Sequence, residues 1–204
     1  MVTRLARSTN KGARTRQRIL DAAASLIESG GSADLSLSDI ARDAGVSRAS
    51  LYYYFSDTGE IVGEVVSDEL QRLIEKFEGA CANAVSAADA LQRFADAYVA
   101  MIKENAPLAR LVLSTLHERD AARLGLDAYD GFRDRLLNLV SAQIERGKLE
   151  GSVRQGVDPR FFASAIVGAV LGMTVGVVCE MGPDYDYDRL RDSFVEFVRF
   201  GIAA

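Results

Sequence analysis

The chain has 204 residues, of which 49% are hydrophobic and 26% are charged, and its formal net charge at pH 7 is −5. This length allows one large buried core or two small ones. Only three prolines occur and strand-like alternation is absent, which argues against a β-rich fold and favours an all-α one. The charged and polar N-terminus shows no secretory pattern, so we expect a cytoplasmic protein.

The first eighteen residues are strongly basic. They contain six of the 24 basic residues and none of the 29 acidic ones, so residues 19–204 carry a net charge of −11. A basic arm on an acidic body is typical of a protein that meets nucleic acid, because the arm neutralises phosphates. A tail that only improves solubility is the alternative. We expect residues 1–12 to form a flexible basic arm and a first helix to cover about residues 13–29.

Residues 36–55 have the pattern of two helices joined by a tight turn. Ser36 is the expected N-cap of the first, and Asp39 follows as in a capping box with Asp in place of Glu or Gln. Gly45 stands where a left-handed residue would end this helix, and Ser47 would cap the next one. This arrangement is typical of the helix-turn-helix that reads DNA. An ordinary helical hairpin is the alternative.

The second of these helices, about residues 48–54, is the expected recognition helix. Leu51 and Phe55 would be buried, which leaves the other side chains free to face the major groove. Arginine pairs with guanine, alanine contacts a thymine methyl group, serine bonds to several base edges, and tyrosine hydroxyls reach phosphates. The predicted DNA-binding residues of the arm and the motif are Arg4, Arg7, Arg14, Arg16, Ser36, Ser38, Ser47, Arg48, Ala49, Ser50, Tyr52, Tyr53 and Thr58.

Apolar periodicity continues to the end of the chain and predicts about nine helices in all. A fourth helix over about residues 58–80 begins in the DNA-binding part and runs into the next part, and a fifth covers about residues 87–104. The remaining predicted boundaries are a sixth helix starting at Pro107, a seventh between Gly125 and Gly147–Gly151, an eighth from Asp158-Pro159 to Gly182-Pro183, and a ninth over about residues 186–201.

The predicted eighth helix carries a run of small residues on one side. Each glycine inside a helix costs about 1 kcal/mol, so three at a spacing of four suggest that another backbone approaches closely. We expect a homodimer interface there, while packing within one chain is the alternative. The expected interface residues are Ala165, Gly168, Gly172, Gly176, Phe194 and Phe197. The apolar stretch 161–179 approaches the length of a membrane span, but its polar and glycine residues favour a buried helix, so we expect no membrane association.

Candidate ligand and catalytic residues are few. Tyr98, Met101, His117 and Met173 are the candidates for lining a small-molecule cavity, although each is more commonly an ordinary core or surface residue. His117 is the only histidine, and no nucleophile motif or metal-type spacing accompanies it. We therefore expect no enzyme activity, no metal site and no cofactor. The two cysteines, Cys81 and Cys179, are expected to be reduced and mostly buried.

The run TRQRILDAAASLIESGG, followed by LSLSDIARDAGVSRASLYYYF and GEIVGEVV, resembles the N-terminal domain of the tetracycline-repressor (TetR) family over about residues 14–66. The resemblance implies an all-helical, homodimeric transcription regulator, and most members are repressors that a small ligand releases from DNA. Two positions depart from the family pattern. Ala49 replaces a frequent glycine, and Thr58 replaces the lysine that usually begins the fourth helix and grips a phosphate. We expect weaker phosphate anchoring at Thr58, with the arm and the tyrosines compensating.

The sequence therefore predicts a helix-turn-helix domain of three helices over residues 13–60, and a helical ligand-binding and dimerisation domain over residues 61–204. The favoured function is a homodimeric repressor, released from double-stranded palindromic DNA by a small apolar or amphipathic ligand. The alternative is a ligand-independent DNA-binding regulator whose C-terminal domain only dimerises or binds a protein partner. A third hypothesis, an enzyme with an accessory helix-turn-helix, lacks a catalytic constellation.

Overall fold

The computed structural model describes residues 2–29, 35–104, 106, 109, 126–177 and 186–203, with the backbone alone at 2–11 and 126–127. Within these ranges the regular structure is helical apart from an isolated β-bridge between Val153 and Ala203. The eight helices bounded there are α1 (Val2–Glu28), α2 (Leu37–Asp43), α3 (Arg48–Tyr54), α4 (Thr58–Ala82), α5 (Ala87–Glu104), α6 (Leu126–Glu150), α7 (Pro159–Val175) and α8 (Tyr187–Ile202). The start predicted at Pro107 lies outside the described residues. None of the described helices is long and apolar enough to cross a membrane.

Local capping signals explain why several predicted boundaries are confirmed. The Asp158 carboxylate accepts a hydrogen bond from the Phe161 amide at 2.7 Å, and Pro159 occupies the first turn of α7, where a missing N–H costs little. Asp186 caps α8 in the same way through the Arg189 amide at 3.0 Å. The predicted end of the eighth helix at Gly182-Pro183 lies outside the described residues.

The start of α1 differs from the prediction. The sequence predicts a flexible arm over residues 1–12 and a helix from about residue 13, whereas α1 runs without interruption from Val2. The arm contains no proline, and Gly12 costs a helix interior only about 1 kcal/mol. Because adding residues to an existing helix is far easier than starting one, the helix extends through the basic segment.

The N-terminal core is formed by α1, α2, α3 and the first half of α4. Ile19 and Ala23 of α1, Ile40 of α2, Leu51 of α3 and Ile61 of α4 are fully buried there. Burial of an isoleucine or leucine side chain contributes roughly 1.5–3 kcal/mol, so these contacts hold the two helices of the turn motif firmly on α1 and α4.

The C-terminal core lies among α4, α5, α6, α7 and α8, with aromatic rings at its centre. The ring centroid of Phe94 is 5.2 Å from that of Phe77 and 6.4 Å from that of Phe194. Phe194 was expected at a dimer interface, but it is 2% exposed and packs inside its own chain, which corrects that prediction. Leu190, Phe194 and Val198 form the buried side of α8, and an apolar stripe in a sequence looks the same whether it faces a core or a partner.

Helix α4 belongs to both cores. Its first half contributes to the N-terminal core up to Leu70, and its second half contributes Ile74, Phe77 and Cys81 to the C-terminal core. The domain boundary predicted after residue 60 therefore falls inside one continuous helix. A movement of α4 would change the packing of both cores.

Of the two cysteines, Cys81 lies within the residues that the structure describes. Its thiol is buried and lies 3.6 Å from the Ala90 carbonyl oxygen, and burial raises its pKa. Its burial agrees with the expectation, while Cys179 lies outside the described residues.

Candidate DNA-binding surface and C-terminal cavity

The turn between α2 and α3 is built by backbone hydrogen bonds around Gly45. The Val46 amide donates to the Ala41 carbonyl at 2.9 Å and the Gly45 amide to the Arg42 carbonyl at 3.2 Å, which is the Schellman pattern. Gly45 has φ +63°, a conformation that L-residues with a Cβ rarely adopt. The predicted left-handed residue is confirmed.

Arg18 of α1 holds the same turn from outside. Its guanidinium donates to the carbonyl oxygens of Ala44 and Gly45, the second at 3.3 Å. In the sequence, Arg18 is simply one of the six basic residues within the first eighteen. Its role in the turn is invisible in sequence because the partners are 26 and 27 residues away.

The N-terminus of α2 is capped as predicted, with one difference. The Ser36 hydroxyl oxygen accepts a hydrogen bond from the Asp39 amide at 3.2 Å, and the hydroxyl donates in turn to the Asp39 carboxylate. The carboxylate thus meets the hydroxyl instead of the Ser36 amide of a usual capping box. The hydrogen bond from Ser36, followed by the charge of Arg42, lowers the Asp39 pKa. Ser38, on the first turn of α2, is exposed.

The recognition helix α3 presents a polar side to solvent. Its predicted cap is confirmed, since the Ser47 hydroxyl accepts a hydrogen bond from the Ser50 amide at 3.0 Å. Leu51 and Phe55 are buried as predicted. The remaining predicted contacts lie on the other side: Arg48, Ala49 and Ser47 are exposed, Ser50 is half-buried, and Tyr52 and Tyr53 are 50% and 83% exposed.

The segment after α3 is organised by acidic residues. Asp57 is the N-cap of α4, because its carboxylate accepts a hydrogen bond from the Glu60 amide at 2.9 Å. The Glu60 carboxylate accepts from the Ser56 amide and hydroxyl at 2.7 and 2.8 Å. Thr58 is the half-buried first residue of α4, and residues 56–60 contain two carboxylates and no basic side chain. That geometry agrees with weak phosphate anchoring at Thr58.

The basic residues of α1 that were predicted to bind DNA differ in their surroundings. Arg14 is exposed, whereas Arg16 pairs with Glu64 of α4 and lies over the ring of Phe55. The side chains of Arg4 and Arg7 lie outside the described residues. Arg14 and the exposed side of α3 therefore remain candidates for contact with DNA. Arg16 instead makes contacts within the chain.

A cavity of about 90 Å³ lies in the C-terminal part against α4. Tyr98 and Met101, two of the four predicted ligand residues, line it, whereas Met173 is half-buried in the surrounding core and His117 lies outside the described residues. The hydroxyl of Tyr98 donates to the Val170 carbonyl at 2.6 Å and is 2.8 Å from the Thr174 hydroxyl. The full lining is Glu69, Leu70, Leu73, Phe77, Tyr98, Met101, Ala109, Tyr129, Phe132, Arg133, Leu136, Val167, Val170, Leu171 and Thr174.

The small residues predicted for a dimer interface lie mostly on the outer side of α7. Ala165, Gly168 and Gly172 are exposed, and a Cβ on either glycine would meet nothing within 4 Å. Gly176 is the half-buried C-cap of α7. On α8, Phe197 is 52% exposed and Phe200, which was not predicted, is 80% exposed. In the described part of the chain, no group of three or more His, Cys, Asp or Glu side chains is placed to hold a metal ion.

Comparison with known proteins agrees with this geometry. Residues 19–65 match bacterial regulatory proteins of the tetR family. The fatty acid metabolism regulator protein of Bacillus subtilis (strain 168) is 25% identical over 190 residues, covering 91% of this chain and 94% of the relative.

Two solved structures share the fold along nearly the whole chain. The transcriptional regulator FadR from Bacillus subtilis, in complex with stearoyl-CoA, has a TM-score of 0.74 at 22% identity and covers 91% of this chain and 98% of its own. A transcriptional regulator from Saccharomonospora viridis, in complex with choline, has a TM-score of 0.80 at 19% identity, with coverage of 94% and 99%.

The capped turn, the exposed polar side of α3 and the all-helical chain behind them define a DNA-binding transcriptional regulator of the helix-turn-helix class. The match at residues 19–65 identifies this part of the chain as a DNA-binding domain of the tetR family, and the chain as a whole is similar to a regulator of fatty acid metabolism.

Proposed function

We propose that the protein is a homodimeric repressor that a small apolar or amphipathic ligand releases from a palindromic operator. The observation that carries the proposal is the position of Leu70 on α4, which packs in the N-terminal core and also lines the cavity. A ligand in the cavity therefore touches a side chain of the DNA-binding part. If it fits one position of α4 better than another, it shifts the population toward that position.

The cavity favours an apolar group. Two of its three hydroxyls, on Tyr98 and Thr174, already bond within the protein, the third belongs to Tyr129, and its charged residues are Glu69 and Arg133. The similar FadR from Bacillus subtilis was solved with stearoyl-CoA, whose long acyl chain belongs to this chemical class. Because ligand pockets typically measure about 300 Å³ or more, the smaller cavity of this structure must widen to hold such a ligand. Widening moves the lining helices, including α4.

The exposed side of α7 and α8 supports the dimer. Phe197 and Phe200 on α8 leave much of their rings in solvent, and Gly168 and Gly172 leave an exposed backbone surface on α7. Pairing this side with its copy across a two-fold axis would bury it. The two α3 helices of such a dimer could then enter successive major grooves, which are about 34–36 Å apart.

The test measures release of a known duplex. DNA selected by the full-length protein from a random library is bound in a fluorescence anisotropy assay, and stearoyl-CoA is titrated in, with free CoA as the control. We expect release by the acylated compound alone. Val167→Phe, which fills the cavity, should bind DNA normally and resist release, whereas Leu137→Phe, in the core but outside the cavity lining, should respond like the wild type.

Failure of stearoyl-CoA and of shorter acyl-CoAs to release DNA would contradict this ligand class. If a wider set of apolar compounds also failed, the ligand-independent regulator, whose C-terminal part only dimerises or binds a protein partner, would be favoured instead.

A further inference from the structure

Arg16 of α1 lies where three helices of the DNA-binding part meet. Its guanidinium pairs with the Glu64 carboxylate on α4 and lies 4.8 Å from the ring centroid of Phe55. Phe55 is the C-cap of the recognition helix and is 1% exposed, so its ring is held in place. One side chain therefore contacts both α4 and the end of α3.

We propose that Arg16 is a positioning residue, which holds the recognition helix in a fixed orientation on α4, and that it does not bind a DNA phosphate. The inference rests on the protein reading DNA with α3. A guanidinium suits this role because it donates to a carboxylate in its plane and stacks on a ring with its face. Its charge is already paired with Glu64, which reduces its attraction for a phosphate.

Arg14 provides the matched contrast. It lies two residues earlier on α1, is exposed, and makes no ion pair with any residue in the described ranges. Residues two apart on a helix point about 200° apart, so the two arginines face different surroundings. Arg14 is free to meet a phosphate, whereas Arg16 is directed into the contact between α1, α3 and α4.

The same contact links the recognition helix to the cavity. Glu64 precedes the cavity-lining Glu69 by five residues, which is about 7.5 Å along α4. A displacement of α4 would carry the Glu64 carboxylate with it and, through Arg16, act on Phe55. This last step alone depends on the proposed response to ligand.

The experiment compares the full-length variants Arg16→Gln, Glu64→Gln, their combination, and Arg14→Gln. Each is measured on the duplex selected by the wild type and on a random duplex, across a salt series. If Arg16 positions α3, each single variant of the pair lowers affinity for the selected duplex about five- to tenfold. Affinity for the random duplex and the salt dependence stay unchanged, and the double variant is no weaker than the weaker single one.

Arg14→Gln should behave differently, lowering affinity for both duplexes and reducing the slope of log K against log salt by about 0.9. Glu64→Gln gives the decisive result, since it is nearly isosteric and keeps the Arg16 charge. If Arg16 binds a phosphate, this variant frees it and tightens binding to both duplexes, which would overturn the proposal. A reduced salt slope in Arg16→Gln would overturn it equally.

The fraction of each variant that can bind DNA is measured by titration with excess DNA, and each affinity is corrected for this fraction. A loss of folded protein is then not mistaken for a loss of positioning. All measurements are made without ligand. Failure of acyl-CoA to release DNA would therefore refute the proposed ligand response and leave this result standing.

Discussion

Arg18 on α1 donates a hydrogen bond to the carbonyl oxygen of Gly45, in the turn before the recognition helix, at 3.3 Å between Nη2 and O. The contact couples the conformation of the turn to the position of α1. The positive φ of this turn favours glycine, and a Cβ atom at residue 45 would in addition lie 3.0 Å from the same Nη2 atom, so the Arg18 side chain would have to shift.

Gly45→Ala should therefore destabilise the protein. The left-handed conformation alone costs a residue with a Cβ about 1–2 kcal/mol, and displacement of Arg18 adds to it. Urea unfolding followed by circular dichroism measures the change. Gly79→Ala is the control, because Gly79 lies inside α4 with open space around it and should gain up to about 1 kcal/mol. Equal effects at the two positions would contradict the role given to the turn.

Thr58→Lys should strengthen binding to DNA of any sequence. Thr58 begins α4 four residues after the end of α3 at Tyr54, and the resemblance to the TetR family places a phosphate-gripping lysine there. One added phosphate contact should raise the slope of log K against log salt by about 0.9. Anisotropy titrations over a salt series measure this, with Thr58→Gln as the uncharged control. An unchanged slope would show that this helix start does not meet the DNA backbone.

Asp39→Asn should lower stability near neutral pH and have no effect in acid. The pKa of Asp39 is lowered by the Ser36 hydroxyl and by Arg42, so its ionised form stabilises the folded state. That contribution is present above the unfolded value of 3.8 and is lost as the pH falls through the lower folded pKa. Urea unfolding at several pH values tests the sign. Asp43→Asn, an exposed residue of the same helix, is the control and should show no such loss.

Features determined within a few residues of the chain were predictable from the sequence. Ser47, Gly45 and Asp158 act through hydrogen bonds to neighbouring amides or through their own backbone conformation, and each occupies its predicted position. The burial of Leu51 and Phe55 follows from helical spacing in the same way.

Features that depend on packing between distant segments were not predictable. Arg16 and Arg18 look like other arm arginines in the sequence, and only the fold brings them to Glu64 and Gly45. Phe194 and Phe197 are both apolar residues of one helix, and their separation into core and surface depends on how α8 lies against α5. The lining of the cavity is equally a property of several helices, which is why Tyr98 and Met101 line it and Met173 does not.

Tyr98→Phe should destabilise the C-terminal core by about 1 kcal/mol, since the lost hydroxyl bonds the Val170 carbonyl at 2.6 Å in a buried site. The Thr174 hydroxyl still donates to the same carbonyl, so no buried donor is left without a partner. Chemical denaturation gives the change in unfolding free energy. Tyr53→Phe removes a hydroxyl from a side chain that is 83% exposed and should leave stability unchanged. Comparable losses in both variants would argue against a structural role for the Tyr98 hydroxyl.

Phe197→Asp should separate the proposed dimer into folded monomers. The ring is 52% exposed in the isolated chain, so a carboxylate there is hydrated in the monomer but buried and unpaired if α8 packs against its copy. Light scattering with size-exclusion chromatography reports the mass, and circular dichroism reports folding. Leu149→Asp, at a 91% exposed position on α6, should leave the dimer intact. A Phe197→Asp protein of wild-type mass would place the dimer interface elsewhere. A folded monomer that binds the selected palindrome more weakly than the wild type would tie operator recognition to this side of α8, because one chain then engages a single half-site.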